Sequence, residues 1–185
     1  MKKGNYSILI IISIIAMLYR IIPYRLPGFA PQIAMFLFLP VVFRNKFLAY
    51  GVAAFSLIAS DLLYHGLYYA GLSAIPGIYE GQLLNYLLLV LTPVLTSTLL
   101  QGTKRFFPTA IAGSVIYFLL SNSMVWIMYQ GLHPERTLTA YTLTLYEGLP
   151  FFLNSVLANL FFGALICSSS IIVQEKSQIY SSSHS

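Results

Sequence analysis

Six long apolar runs, separated by short stretches that hold nearly all of the charge, leave this chain few folds to choose from. The runs cover about 6–22, 32–43, 47–72, 82–100, 106–129 and 146–173. A helix rises 1.5 Å per residue, so roughly 20 residues cross a hydrocarbon core of about 30 Å. The 185 residues therefore hold roughly five to seven spans, with no soluble domain beside them. Only 8% of the residues are charged and 58% are hydrophobic, where an ordinary globular domain carries roughly a quarter charged residues. A mean hydropathy of +0.78 agrees, and a water-soluble fold is excluded. The expected fold class is all-α: a polytopic integral membrane protein of six transmembrane helices in one domain over 1–173, with a polar, serine-rich tail at 174–185 that frays into the cytoplasm.

The second run is short for a full span, which leaves open an extension back through Pro31, a tilt, or shielding by its neighbours. The first run follows Met1, Lys2 and Lys3 as a signal peptide would, but it leads into Tyr19, Arg20 and Pro23 with no small-x-small cleavage site, so it reads as a helix. Alternating sides along the chain puts Lys2, Lys3, Arg44, Lys46, Lys104, Arg105 and Lys176 together, against Arg20, Arg25 and Arg136. By the positive-inside rule both termini are expected in the cytoplasm. The sequon Asn5-Tyr6-Ser7 then faces inward and is discounted. The longer connections, Pro23 to Pro31, Ser73 to Gly81 and Gln130 to Leu145, face outward, and loops on a rigid scaffold are where binding sites concentrate. The net charge of +5 is dispersed rather than clustered, so no nucleic-acid partner is expected.

Polar groups inside a membrane are costly and are therefore candidate sites or hydrogen-bonding devices. Counted along their helices, Asp61 lies roughly 21 Å and Asn122 about 24 Å from the inner ends, Arg20 at a similar depth, and Asn154 roughly 12 Å from the outer end of the last helix. Four polar groups from four helices thus share an outward layer. Asp61, His65 and Tyr68 follow helical spacing, as do Asn122, Trp126 and Tyr129, and Glu147, Phe151 and Asn154 run down helix six. Each row joins polar to aromatic groups, as a small-molecule pocket requires. The competing readings stay beside this one. Asp61 and Arg20 pair as a structural brace or meet a ligand; Trp126, Tyr129, Tyr68 and Tyr69 suit an aromatic belt; Asn122 and Asn154 suit helix–helix bonds; His65 suits a polar tip. Thr92 and Thr96 flank Pro93 and repair the hydrogen bonds it frees.

Neither a G-x-x-x-x-G-K-[ST] phosphate loop nor an H-E-x-x-H zinc pair occurs. Ser60, Asp61 and His65 share one helix, which cannot present nucleophile, base and orienter in line. The lone cysteine, Cys167, reads as a packing residue in an apolar helix. Neither an enzyme nor a bound cofactor or metal is expected.

Arg20-x-x-Pro23-Tyr24, Gly28-Phe29-Ala30-Pro31-Gln32-x-Ala34, Ser60-Asp61, Ser121-Asn122-x-x-x-Trp126 and Pro150-Phe151-Phe152-x-Asn154 resemble the motifs of an uncharacterised bacterial family of six-helix membrane proteins. That family is in turn similar to the substrate-binding S components of energy-coupling-factor vitamin transporters. Tyr24 and Ala30 stand where the family reads His and Thr, and Ala16-x-x-x-Arg20 is all that the first helix offers in place of the Ala-x-x-x-Ala docking face of many S components. The resemblance implies a pocket near the outer face of the bacterial cytoplasmic membrane, capped by the loop between helices one and two, that binds a small nutrient such as a vitamin or its precursor for import. Arg20, Phe29, Gln32, Asp61, His65, Asn122, Trp126, Tyr129 and Asn154 are the expected site residues, with Asp61 taking a cationic or donor group, Trp126 stacking, and 29–32 gating. The expected partners are the substrate, the lipid bilayer, and an energising ATPase module or other membrane subunit. The alternative is a structural or assembly subunit whose polar layer only bonds helices.

Overall fold

A computed structural model describes residues 4–22, 25–43, 45–74, 76–99, 105–128 and 131–182, with side chains over 11–169. It is all-α among the described residues: α1 Gly4–Ile21, α2 Gln32–Val42, α3 Lys46–Tyr69, α4 Gln82–Leu99, α5 Phe106–Ile127 and α6 Leu138–Ser182. α3, α4, α5 and α6 over Leu138–Ser169 are long and apolar enough to cross a membrane; Ile11–Ile21 of α1 and the whole of α2 are shorter apolar helices.

The bundle exposes large apolar side chains on its outside and buries small polar ones beside its apolar core. Phe47, Phe55, Tyr69 and Leu83 stand exposed on its flanks, while Ser56, Ser60, Thr92, Thr96, Ser114 and Asn159 are buried. Buried Ala49, Ala53, Ala110 and Ala158 sit among them, small residues of the kind that let helices approach where lipid gives no hydrophobic incentive to associate. The buried hydroxyls are satisfied locally or across helices: Asn159 Nδ2 donates to Ser114 Oγ at 2.7 Å, and Ser56 Oγ to the Ser13 carbonyl at 3.2 Å.

α2 is the centre. It packs against α3, α4, α5 and α6, and every residue from Gln32 to Pro40 is buried, as expected for a helix that is apolar all round. Its eleven residues rise only about 16 Å, and Pro31, rather than extending it, marks its start. Shielding by neighbours, one of the options the sequence left open, is realised. α1 packs on α3 and α6, and α5 between α4 and α6. Gln82 and Tyr86 of α4 reach Asp61 of α3, and near Lys46 lies a cavity of about 480 Å³ lined by α2, α3, α4, α5 and α6.

Two boundaries differ from the sequence reading. α6 starts at Leu138 rather than near 146, because Thr137 Oγ1 accepts the Ala140 N–H at 3.1 Å as a cap and the following threonines bond carbonyls of their own helix. It also continues to Ser182, through the segment expected to fray; no glycine or proline interrupts 164–182.

Candidate ligand-binding site

Asp61 is 4% exposed, and a carboxylate so placed is tolerated only if it is paired and hydrogen-bonded. Arg20 of α1 forms an ion pair with one carboxylate oxygen. The other accepts Gln82 Nε2 at 2.9 Å and the Tyr86 hydroxyl at 2.5 Å, both from α4. The same Gln82 amide donates to the Gly77 carbonyl at 2.9 Å, tying in the α3–α4 loop. Position 77 has to be glycine: a Cβ there would collide with the Asp61 carbonyl oxygen and the His65 amide nitrogen. Three donors thus occupy Asp61, which braces three helices. The expectation that it takes a cationic ligand group is not what this geometry offers.

Beside that brace, above the first turn of α2, lies a cavity of about 190 Å³. Every helix contributes to its wall: Arg20 from α1, Gln32 and Ile33 from α2, Leu57 from α3, Asn85 and Leu89 from α4, Tyr117 from α5, Ser155 from α6. Arg25, Gly28 and Ala30 of the α1–α2 loop complete it. Of three other cavities among the described residues, the one of about 480 Å³ near Lys46 and Arg105 has polar as well as apolar lining but does not touch the Asp61 brace, whereas one of about 340 Å³ between α1 and α3 and one of about 200 Å³ between α1, α2 and α6 are lined almost wholly by apolar side chains. The latter two offer a ligand no orienting group.

The α1–α2 loop owes its position to α6. Asn154 Nδ2 donates to the Pro27 carbonyl at 2.7 Å and Ser155 Oγ to the Gly28 carbonyl at 3.1 Å. Gly28 has a φ of 80° and lies so close to Phe151 that a Cβ would fall 2.5 Å from its carbonyl oxygen. The loop therefore folds down against α6 and delivers Phe29 into a cluster with Tyr19, Phe161 and Phe162, at centroid distances of 5.7, 6.3 and 5.7 Å. Irregular backbone within a bundle of apolar helices is tolerated where protein buries it or where it lines a cavity.

Electrostatically the cavity is positive. Arg20 is balanced by Asp61, whereas Arg25, half-buried, forms no ion pair among the described residues. Burial, and then the neighbouring Arg20 charge, lower the Arg25 pKa from its usual value. Asn85 accepts the Tyr117 hydroxyl at 2.5 Å and donates to the Tyr79 hydroxyl at 3.0 Å; burial pushes the Tyr79 phenol up. Gln32 is 5% exposed and its Nε2 has no partner.

Of the expected site residues, Arg20 and Gln32 line the cavity, Asp61 stands behind Arg20, and Asn154 holds the loop. Phe29 packs beneath the loop. His65 lies on the far side of Gly77 against Tyr69, with centroids 4.8 Å apart, and its buried Nδ1 has no partner. Asn122 donates to the Phe118 carbonyl of its own helix at 2.8 Å. Trp126 belongs to a separate cluster at the start of α6. There its Nε1 donates to the Glu135 carbonyl at 3.0 Å, Arg136 stands 5.5 Å over its ring, and Tyr141 packs at 5.3 Å. Tyr129, like Pro23 and Tyr24, falls outside the described residues. The single layer expected from depth is therefore two clusters. The sequence reading missed Arg25, Gln82, Asn85, Tyr86 and Tyr117; the polar stripe Gln82, Asn85, Tyr86, Thr92 and Thr96 at helical spacing on α4 was the available signal.

Among the described residues no three His, Cys, Asp or Glu side chains converge as a metal site would require. No curated protein and no solved structure matches the chain. A family model does match, over residues 2–181, and on that match the chain belongs to the Family of unknown function (DUF6580).

Proposed function

We propose that this chain is a six-span protein of the bacterial cytoplasmic membrane, with both termini inside, that binds a small nutrient from outside for import, in the manner of an S component of an energy-coupling-factor transporter. The observation that carries the reading is the cavity of about 190 Å³ with a fully buried, unpartnered Gln32 amide in its wall. Binding sites are concave, mostly apolar and oriented by a few polar groups, and this cavity has that make-up. It is smaller than the roughly 300–1,000 Å³ of drug-sized sites, which suits a small metabolite. Arg25, Gly28 and Ala30 of the α1–α2 loop form one side of it. With no nucleotide-binding loop in the sequence, the energy for transport would come from a separate ATPase module.

The test is native mass spectrometry of the protein purified from its own host in mild detergent, alongside Leu57→Phe, which fills the cavity. A retained metabolite that Leu57→Phe loses supports the proposal. A second reading, a structural or assembly subunit, draws on the saturation of Asp61 by three internal donors; a chain free of small molecules but carrying a stoichiometric protein partner would replace the first reading with the second.

A further inference from the structure

α2 is a half-length helix whose first turn lies inside the bundle and forms the floor of the cavity. Its N-cap, Pro31, makes no side-chain capping bond, so the first-turn N–H groups, which no helix satisfies internally, are left at the cavity end. Such an end carries about half a positive charge and favours anions. Two further features point the same way. Arg25 forms no ion pair among the described residues, so Arg20 and Arg25 against Asp61 leave one positive charge unbalanced (two minus one). Gln32 carries a buried amide nitrogen with a proton to donate and nothing to receive it. A buried donor is costly to leave unmet, and the helix end, the unpaired Arg25 and the Gln32 amide nitrogen, all at one cavity, share a single remedy.

Resting on the binding reading above, we infer that the cavity is an anion subsite that holds the carboxylate of a small monoanionic metabolite between the Arg25 guanidinium, the Gln32 amide and the first turn of α2. A guanidinium offers a planar pair of N–H donors that matches a carboxylate in two parallel hydrogen bonds. The unbalanced charge is one, so a carboxylate neutralises the site where a phosphate dianion would overcharge it. Half-helices that aim their N-termini at a substrate carboxylate inside a membrane are a recurrent solution of transporters. Asn85 and Tyr117, on the opposite wall, already bond each other and are left to orient the body of the molecule.

The experiment soaks crystals of the full-length protein with 4-bromobenzoate or, separately, 4-bromobenzamide, which differ in charge and hardly in shape, and locates the bromine by anomalous scattering. Calorimetry in detergent gives the affinities. The acid should occupy the cavity and bind about tenfold to a hundredfold more tightly than the amide, the range expected of charge-assisted hydrogen bonds. Arg25→Gln should remove that preference and Arg25→Lys restore part of it. Gln32→Leu should raise the melting temperature, because it deletes an unmet donor, while weakening the acid; a purely structural glutamine would show no such split. An empty cavity in saturating acid, equal binding of acid and amide, or an unchanged acid affinity in Arg25→Gln each overturns the inference. The mass-spectrometric test keeps the two proposals apart. A retained neutral or cationic metabolite overturns the carboxylate subsite and leaves the binding function standing, whereas acid in the cavity of a protein that retains nothing from its host supports the subsite alone.

Discussion

Neutralising Asp61 while Arg20 stays in place leaves a guanidinium whose side chain is only 19% exposed without its counter-charge. Breaking a buried pair from one side typically costs about 3–5 kcal/mol, far more than the pair contributes when both members are replaced. Asp61→Asn is therefore expected to lower the melting temperature in detergent sharply, and Arg20→Gln combined with it to recover part of the loss; strictly additive effects would mean that the two do not act as a pair. Deleting the Asn154 hydrogen bond should matter much less, on the order of 0.6 kcal/mol, since side-chain bonds between helices in membranes average about that value. The Arg20–Asp61 pair was legible in the sequence because both residues are charges in apolar helices and helical rise places them at one depth. Arg25 was not, because it reads as an ordinary loop cation and only the fold of 25–31 turns it inward. Depth put Asn122 and Trp126 in one layer with Asp61 but says nothing about direction around the bundle, and the structure sets them apart from the Asp61 brace.

At the scale of elements, the α1–α2 loop and α2 behave as one piece. Gly28→Ala places a side chain in left-handed backbone, at about 1–2 kcal/mol, and forces it onto the Phe151 carbonyl. We expect it to lift the loop from α6, seen as faster cleavage of the loop by protease than in the parent protein; an unchanged cleavage rate would show that the loop is not seated as described. Within α2, Phe36 is 2% exposed, and Phe36→Ala should cost about 3–5 kcal/mol, read as a loss of thermal stability across the whole bundle rather than of one helix. Periodicity and length exposed the helices themselves because apolar runs of that length have few alternatives. They failed at the start of α6, where threonines that normally signal a loop bond to their own helix, and they could not tell a central half-helix from a short span.

For the molecule as a whole, the proposed direction of insertion rests on the distribution of its basic residues. In a Cys167→Ser background, a membrane-impermeant thiol reagent applied to intact cells should label Leu132→Cys, in the exposed α5–α6 connection, and spare Lys46→Cys until the membrane is opened. The reverse pattern would invert the topology and place the cavity on the cytoplasmic side.

The wall of that cavity draws on all six helices, and the loop over it is held by Asn154 and Ser155, late in the chain. Synthesis runs from the N-terminus, and eleven residues of α2 are too few to lodge across a bilayer by themselves. Hence the burial of α2, which packs on α3, α4, α5 and α6, is complete only after the sixth helix has been made. A chain stopped before Leu138 should remain in the membrane and yet be unable to keep a ligand. The pocket wall is complete only after α6 has been made, so quality control that tests for the pocket would be testing for α6.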